Sequence, residues 1–464
     1  MKPDCKQVPY RGARLPHRLE EAACVFINAG FKVFLVGGAV RNLIMKQPPS
    51  DFDLATNAHP EQVMQLFRRV IPTGIDHGTV TVVYRGFSLE VTTFRSEGAY
   101  SDGRRPDSVS FGNDIIEDLG RRDFTMNAMA IDLEQKLLLD PYGGRNDINQ
   151  AQVRAVGDAA ERLKEDALRI LRAIRFSVQL DFQLAPETIS ALSPAAHRLS
   201  AVSVERVRIE LEKMLRSAEP SAAFRIFRDH GILPHILPEF LPCITAPTGD
   251  DAPNLSLYEH LIRTMDAAPK DHLELRLSAL LHDIGKPTTQ LRDNAGELHF
   301  IGHEQVSARI AVELLKRLSF PTRIIQQVEH LIMHHMFLYE SSWSRAAVRR
   351  FIVRVGKENI VDLVQLRRAD TIGKHGTTVP APALNELLQR VEHENKSSAI
   401  SGTKDLALGG HDLAEIGIPK GPEMGKILGQ LLETVLDDPE MNTKPQLLKV
   451  AKRLHDTRFK PLVE

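Results

Sequence analysis

Gly37-Gly38, Arg41, Asp51 and Asp53 follow one another in the segment FLVGGAVRNLIMKQPPSDFDLAT. Residues i and i+2 of a strand face the same side, so Asp51 and Asp53 present two carboxylates together. Such a pair repels itself unless a cation sits between its members. Hard oxygens at one point suit Mg²⁺, which takes one or two carboxylates together with substrate phosphates. A glycine pair at a strand-to-helix turn lets backbone N–H groups approach a triphosphate, and the helix dipole favours the same charge. Glu90, in SLEVTTF, is a candidate third carboxylate from a neighbouring strand. Any one of these features alone is more often a plain turn or a solvated loop, and it is the arrangement that points to metal-assisted chemistry on a phosphorylated substrate.

A second set stands farther along the chain. YEHLIRTMD, LLHDIGKP, IGHEQ, LIMHHMFL and LRRADTIGKH supply His260, His282-Asp283, His303, His334-His335 and Asp370. A single helical histidine is usually an ordinary core or surface residue, but positions in this order form a candidate metal centre. Imidazoles and carboxylates without cysteine suit Mn²⁺, Ni²⁺, Fe²⁺, Mg²⁺ or Zn²⁺ rather than a thiolate site.

The elements that must hold these residues fall into two styles. From Phe31 to about Asp140 strands and helices mix: FKVFLVGGAV is an apolar strand entering the glycine pair, and TVTVVYRGFSLEVTTF is two strands joined at Arg85-Gly86. After Pro141–Gly144 the strand signal fades and helical periodicity continues almost to the end. The expected fold class is α+β, a small mixed α/β head followed by helices. Loop-rich joints near 241–256 and 377–386 place the expected boundaries: a head over 1–160, a helical neck over 161–250 for nucleotide and RNA, a histidine-rich helical domain over 251–376 and a helical tail over 377–464.

The 464 residues suffice for about three domains of ordinary size. Lys plus Arg is 59 against 60 for Asp plus Glu, so any polyanion site must be a local patch. No apolar run approaches the ~18 residues of a membrane span, and the amino terminus lacks the apolar core of a signal peptide, so the expected compartment is the cytoplasm, with no membrane partner. Three cysteines, Cys5, Cys24 and Cys243, are too few and too scattered for a disulfide framework, and no disulfide-linked partner is expected.

GGAVRNLI, DFDLAT, EVTTFR, RRP, RRDFTMNAMA, DPYGG and EDALRILRAIRF occur in the order and near the spacing of the class II nucleotidyltransferases, and residues 31–180 resemble that bacterial tRNA nucleotidyltransferase and poly(A) polymerase family. The resemblance implies an enzyme that adds C, C and A to tRNA 3′ ends without a nucleic-acid template, using CTP, ATP and Mg²⁺. By motif, Asp51 and Asp53 would hold the catalytic metals, Gly38 and Arg41 would contact the triphosphate, Arg122 would help bind nucleotide, and Asp123 and Asn127 would sit near the ribose. Two positions depart from the family pattern: Asn42 follows Arg41 where Asp is usual, and Lys46 or a near neighbour replaces a customary glycine before the DxD loop.

Asp166, Arg169, Arg172 and Arg175 recur every third residue of EDALRILRAIRF, which on a helix is one slowly drifting face. Cytosine and adenine both present an amine donor beside a ring-nitrogen acceptor, whereas uracil and guanine present a carbonyl beside an N–H. Asp166 accepting from the amine and Arg169 donating to the ring nitrogen would therefore take C and A and reject U and G. Arg172 and Arg175 would meet phosphates or brace that pair. The segment FRSEGAYSDGRRP, residues 94–106, stands where the family has the mobile loop that switches C to A.

LLHDIGKP with its flanking residues resembles the HD superfamily of metal-dependent phosphohydrolases. That implies a core ligand set of His260, His282, Asp283 and Asp370. His303 and one of His334 or His335 are available for a second metal, with His334 carried in the ligand set, and Lys286 would stabilise developing charge. A rival within the class is a CC-adding or A-adding enzyme or a poly(A) polymerase. Outside it stand an HD phosphohydrolase whose head merely binds nucleotide, and a non-catalytic RNA-binding module. The tail, GGHDLAEIGIPKGPEMGKILGQLLETVL, is expected to help hold tRNA.

Overall fold

The computed structural model describes residues 6–10, 12, 14–49, 51–75, 78–97, 109–112, 114–249, 255–377, 381–397 and 400–458. Most of the expected switching loop, with Arg104-Arg105, lies outside the described residues, as does Cys5. The chain divides into two compact units, Met1–Leu241 with Arg317–Phe320, and Pro242–Lys316 with Pro321–Glu464. The head is mixed α/β and everything after it is mostly helical.

The strands of the first unit include β1 (Lys6–Pro9), β2 (Val33–Val36), β3 (Asp53–Thr56), β4 (Val70–Gly74), β5 (Thr79–Tyr84), β6 (Phe87–Thr93), β7 (Arg95–Glu97), β8 (Val109–Phe111), β9 (Ala130–Asp132) and β10 (Leu137–Asp140). Eight of them make one mixed sheet in the order β1-β10-β9-β2-β3-β6-β5-β4, while β7 and β8 pair separately. The β5–β6 hairpin turns at Arg85-Gly86, as its pattern requires. Both faces of the sheet are covered, because alternate residues of a strand point to opposite sides. Val33, Leu35, Leu54, Val80 and Leu89 enter one core, and Phe34, Val36, Ala55, Phe94 and Ala130 enter the other.

The segment EDALRILRAIRF is not a single helix. One helix ends at Glu165, the next runs Leu168–Leu180, and Asp166 stands in extended backbone between them (φ −142°, ψ 106°). Its Oδ1 accepts from Leu168 N at 3.0 Å and so caps the second helix. The Val204–Leu215 helix packs against Leu168–Leu180.

Among the described residues of the second unit, two apolar clusters stand apart. One gathers Leu275, Leu331, Phe351 and Leu363, and the other gathers Leu431, Val435 and Leu447 near the carboxyl end. Buried Arg349 donates to the Leu436 and Asp437 carbonyls at 2.7 and 3.1 Å and to Glu394 at 2.7 Å, supplying donors to a helix end that has none of its own. Among the described residues no helix is long and apolar enough to cross a membrane.

Candidate active site

In the first unit the polar residues are positioned by the middle of the sheet. β2 is buried throughout and delivers the chain to Gly37, whose φ of +71° is reached at little cost only by glycine. A Cβ there would lie 3.2 Å from Arg122 Nη1 and 3.3 Å from Asp53 Oδ2, so the glycine also makes room for both charged groups. Phe52 is buried against Phe87, ring centroids 5.3 Å apart, which leaves Asp51 and Asp53 on the opposite side. β3 runs parallel to β6 with Asp53 level with Glu90. Burial, then the Glu90 charge, then Asp51 push the Asp53 carboxyl up to about 6 against the pull of Arg122. Glu90 itself is exposed and adds charge beside Asp53 without lining the cavity.

A cavity of about 580 Å³ opens over these residues, lined also by Gly38, Arg41, Arg121, Arg122, Asp123 and Asn127 and by Asp166, Arg169, Arg172 and Arg175. Arg41 donates to Asn127 Oδ1 at 2.8 Å and to Asn42 Oδ1 at 2.9 Å, so the neutral amide at 42 still orients the guanidinium. Burial and the nearby Arg175 lower Arg41 to about 10. Asn127 in turn donates to Asp123 Oδ1 at 3.0 Å, and Arg172 grips Asp123 Oδ2 through Nε and Nη2 at 2.8 and 2.5 Å. Burial raises the Asp123 pKa, but Arg172, Asn127 and the Phe124 N–H outweigh it and hold the carboxyl at about 2. The DPYGG motif sets Asn127 indirectly: a Cβ on Gly144 would lie 2.1 Å from the Thr125 carbonyl, so only glycine permits this approach to the turn Thr125–Asn127.

The expected base-reading residues meet the cavity but do not pair with one another. Arg169 donates to the Arg162 and Arg121 carbonyls at 2.8 and 3.1 Å and to Glu165. Asp166 Oδ2 accepts from Arg206 at 2.6 Å, and Arg175 donates to Glu210 at 2.5 Å while lying 3.8 Å over the Phe176 ring.

The second unit assembles the histidine set in its buried interior. His260 lies in the helix Leu257–Ala267, His282-Asp283 follow Leu273–Leu281, His303 opens His303–Arg317, His335 follows Thr322–His334, and Asp370 lies in Ile360–His375. Asp283 stands between two groups of imidazoles. Its Oδ2 is 3.6 Å from His260 Nε2 and 3.3 Å from His282 Nε2, and its Oδ1 is 3.0 Å from His303 Nε2 and 3.4 Å from His335 Nε2. Asp370 Oδ1 completes the first group at 3.3 Å from His260 and 3.5 Å from His282. The Nδ1 atoms of His282, His303 and His335 face the carbonyls of Ala279, Phe300 and Ile332 at 2.9, 2.7 and 2.7 Å, which fixes the tautomer that turns an Nε2 lone pair inward. Asp283 Oδ1 and Asp370 Oδ1 are buried and accept no well-formed hydrogen bond. Converging lone pairs and orphaned carboxylate oxygens fit a divalent cation.

Two expectations need correction here. His334 is not in the cluster, because adjacent residues at a helix end point in different directions. Half-buried His334 packs edge-on against His330, ring centroids 4.6 Å apart, and buried His335 takes the inward place. Lys286 does not stand free to meet developing charge, since it is buried, with its Nζ 2.7 Å from Asp283 Oδ2 and 3.0 Å from the Thr248 carbonyl.

Residues 33–154 match the Poly A polymerase head domain, 181–244 the probable RNA and SrmB-binding site of polymerase A, and 299–451 the putative tRNA nucleotidyltransferase domain 2. A CCA-adding enzyme of Lactobacillus johnsonii is 34% identical over 429 residues, 92% of this chain and 95% of that protein. The chain belongs to the CCA-adding enzyme family. A relative from Limosilactobacillus fermentum is 33% identical over 443 residues, 95% of this chain and 98% of its own. The solved CCA-adding enzyme of Bacillus stearothermophilus, in complex with CTP, superposes with a TM-score of 0.72 at 28% identity, covering 96% of this chain and 98% of its own.

Three residues of this CCA-adding family member, all on Val204–Leu215, escaped the sequence reading: Lys213, which lines the cavity, and Arg206 and Glu210, which hold its lining residues Asp166 and Arg175. Their spacing, i, i+4 and i+7, marks one helix face, but charges at that spacing on SVERVRIELEKML read equally well as a solvated stripe.

Proposed function

We propose that the chain completes tRNA 3′ ends with C, C and A, taking CTP and ATP and releasing pyrophosphate. The observation that carries this reading is the convergence of Asp51, Asp53, Arg41, Arg122 and the Asp166–Arg175 row on one cavity, in a chain whose relatives are CCA-adding enzymes.

Mg²⁺ fits the head: Asp51 and Asp53 face one side, and burial first, then the charges of Glu90 and Asp51, raise the Asp53 pKa, a cost that a cation held there would offset. Bound there, it would lower the pKa of the RNA 3′-hydroxyl and steady charge on the leaving pyrophosphate. Arg41, Arg122, Arg172 and Arg175 orient the triphosphate for in-line attack at its α-phosphorus, as fixed donors that need no rearrangement during reaction. Asp123 holds Arg172 and, through Asn127, Arg41, so one buried carboxylate aligns two phosphate-binding groups. Asp166 accepts from the exocyclic amine of cytosine or adenine. Arg169 spends three of its five N–H donors on protein acceptors, which leaves two for the ring nitrogen. Uracil and guanine leave these groups opposed to like groups.

The test supplies tRNA lacking CCA with each labelled nucleotide and Mg²⁺. Incorporation of C and A at least about a hundredfold above U and G is expected from mispaired buried polar groups. Equal use of all four overturns the base-reading assignment. Addition of C alone or A alone makes the protein a partial-activity enzyme, and long A tails make it a poly(A) polymerase.

The buried cluster favours a second reading beside the first, an HD phosphohydrolase activity with His260, His282, Asp283, His303, His335 and Asp370 as ligands of a transition metal or Mg²⁺. Asp283, with an oxygen turned to either group, would help hold a metal at each. Hydrolysis of bis(p-nitrophenyl) phosphate with Mn²⁺ or Ni²⁺, lost in His282→Ala, is the expected result. No hydrolysis with any divalent metal makes the cluster a structural site.

A further inference from the structure

Among the described residues seven cations line the head cavity, and six of them are held by the protein itself. Arg41 is engaged by Asn42 and Asn127, Arg121 and Arg122 by Asp118, Arg169 by Glu165, Arg172 by Asp123, and Arg175 by Glu210. Lys213 is the seventh. Among the described residues its ammonium has no hydrogen-bond or ion-pair partner, and it is exposed at the cavity wall.

Its place along the cavity follows from the helix that carries it. Arg206, Glu210 and Lys213 share one face of Val204–Leu215. Arg206 meets Asp166, where the base edge is read, and Glu210 meets Arg175, about two turns into the facing helix. Lys213 continues that progression, seven residues and about 10 Å along the axis from Arg206, toward the end lined by Gln179. A nucleotide with its base at Asp166 and its phosphates at Arg41 and Arg175, as in the function proposed above, would run in this direction. A flexible, strongly hydrated ammonium with rotating donors suits a mobile terminal phosphate better than a rigid guanidinium fork does.

We propose that Lys213 grips the terminal phosphate of the incoming nucleoside triphosphate and, after transfer, the pyrophosphate. This rests on the nucleotidyl-transfer reading. The six held arginines then supply fixed alignment, and Lys213 follows the leaving group as it departs.

The experiment measures dissociation constants of CTP, CMP and pyrophosphate for the full-length protein, for Lys213→Met and for Lys213→Arg, together with KM for CTP and for tRNA. Loss of one charge-assisted hydrogen bond predicts CTP and pyrophosphate binding about tenfold weaker in Lys213→Met. CMP binding is unchanged, KM for CTP rises more than kcat falls, and Lys213→Arg restores most of the affinity. CTP and pyrophosphate bound as tightly by Lys213→Met as by the wild type overturn the proposal. A rise confined to KM for tRNA also overturns it and assigns the ammonium to the RNA backbone. Failure of the parent reading is separate: there the wild-type protein itself neither binds CTP nor extends tRNA.

Discussion

Asp166 Oδ2 lies 2.6 Å from Arg206 Nη2, so the carboxylate proposed to read the base is fixed by a guanidinium forty positions away in sequence. The other oxygen is tied to the Leu168 N–H at 3.0 Å. Together these bonds set the plane of the carboxylate before any nucleotide arrives, and such pre-alignment is what discrimination between bases requires.

Arg206→Gln therefore lowers selectivity more than rate. The ratio of kcat/KM for CTP to that for UTP falls about tenfold, the value of one charge-assisted hydrogen bond, while Arg206→Lys recovers part of it. A substitution that merely loosened the neck would lower both nucleotides equally.

Gly37→Ala places a methyl at φ +71° and within 3.3 Å of the Asp53 carboxylate. The backbone conformation alone costs about 1 to 2 kcal/mol. Urea denaturation is expected to show that loss, and nucleotide addition is expected to drop further because Asp53 and Arg122 are displaced.

Asp123 has its pKa depressed to about 2, against the ~3.9 of an unfolded chain. Its stabilising contribution is complete above about pH 4 and is lost as pH falls toward 2, a difference worth about 2 kcal/mol. Asp123→Asn is expected to lose that amount at pH 7, and its deficit relative to the wild type should narrow between pH 4 and 2 in unfolding curves.

Lys46 adopts φ +59°, the left-handed conformation that a side chain disfavours. Lys46→Gly removes that strain and, after the added freedom of the unfolded chain, is expected to gain a few tenths of a kcal/mol of stability. An unchanged or lower melting temperature contradicts this.

Much of the head was legible because its signals are local. The alternation of SLEVTT, the apolar run of β2 and the DFD spacing each declare a strand and its faces within a few residues, and the sheet keeps them. The break at Asp166 was not legible, since the apolar periodicity of EDALRILRAIRF continues through it and the capping bond to Leu168 is invisible in a helical count. Arg206 and Glu210 were hidden because their meaning depends on partners 40 and 35 residues away. His334 and His335 could not be ranked from sequence, because which of two neighbours faces inward depends on where the preceding helix stops.

Metal content separates those two histidines. Protein purified with Mn²⁺ or Ni²⁺ and passed through a desalting column is expected to retain less metal in His335→Ala and wild-type amounts in His334→Ala. The reverse pattern would contradict the cluster as drawn.

The central claim is tested most directly by extending tRNA ending before CCA with CTP, ATP and Mg²⁺, and reading products at single-nucleotide resolution for the wild type, Asp53→Ala and His282→Ala. The account predicts growth to CCA and arrest there in the wild type and in His282→Ala, and no growth in Asp53→Ala. Extension that survives Asp53→Ala but disappears in His282→Ala would contradict it and move the chemistry to the histidine cluster.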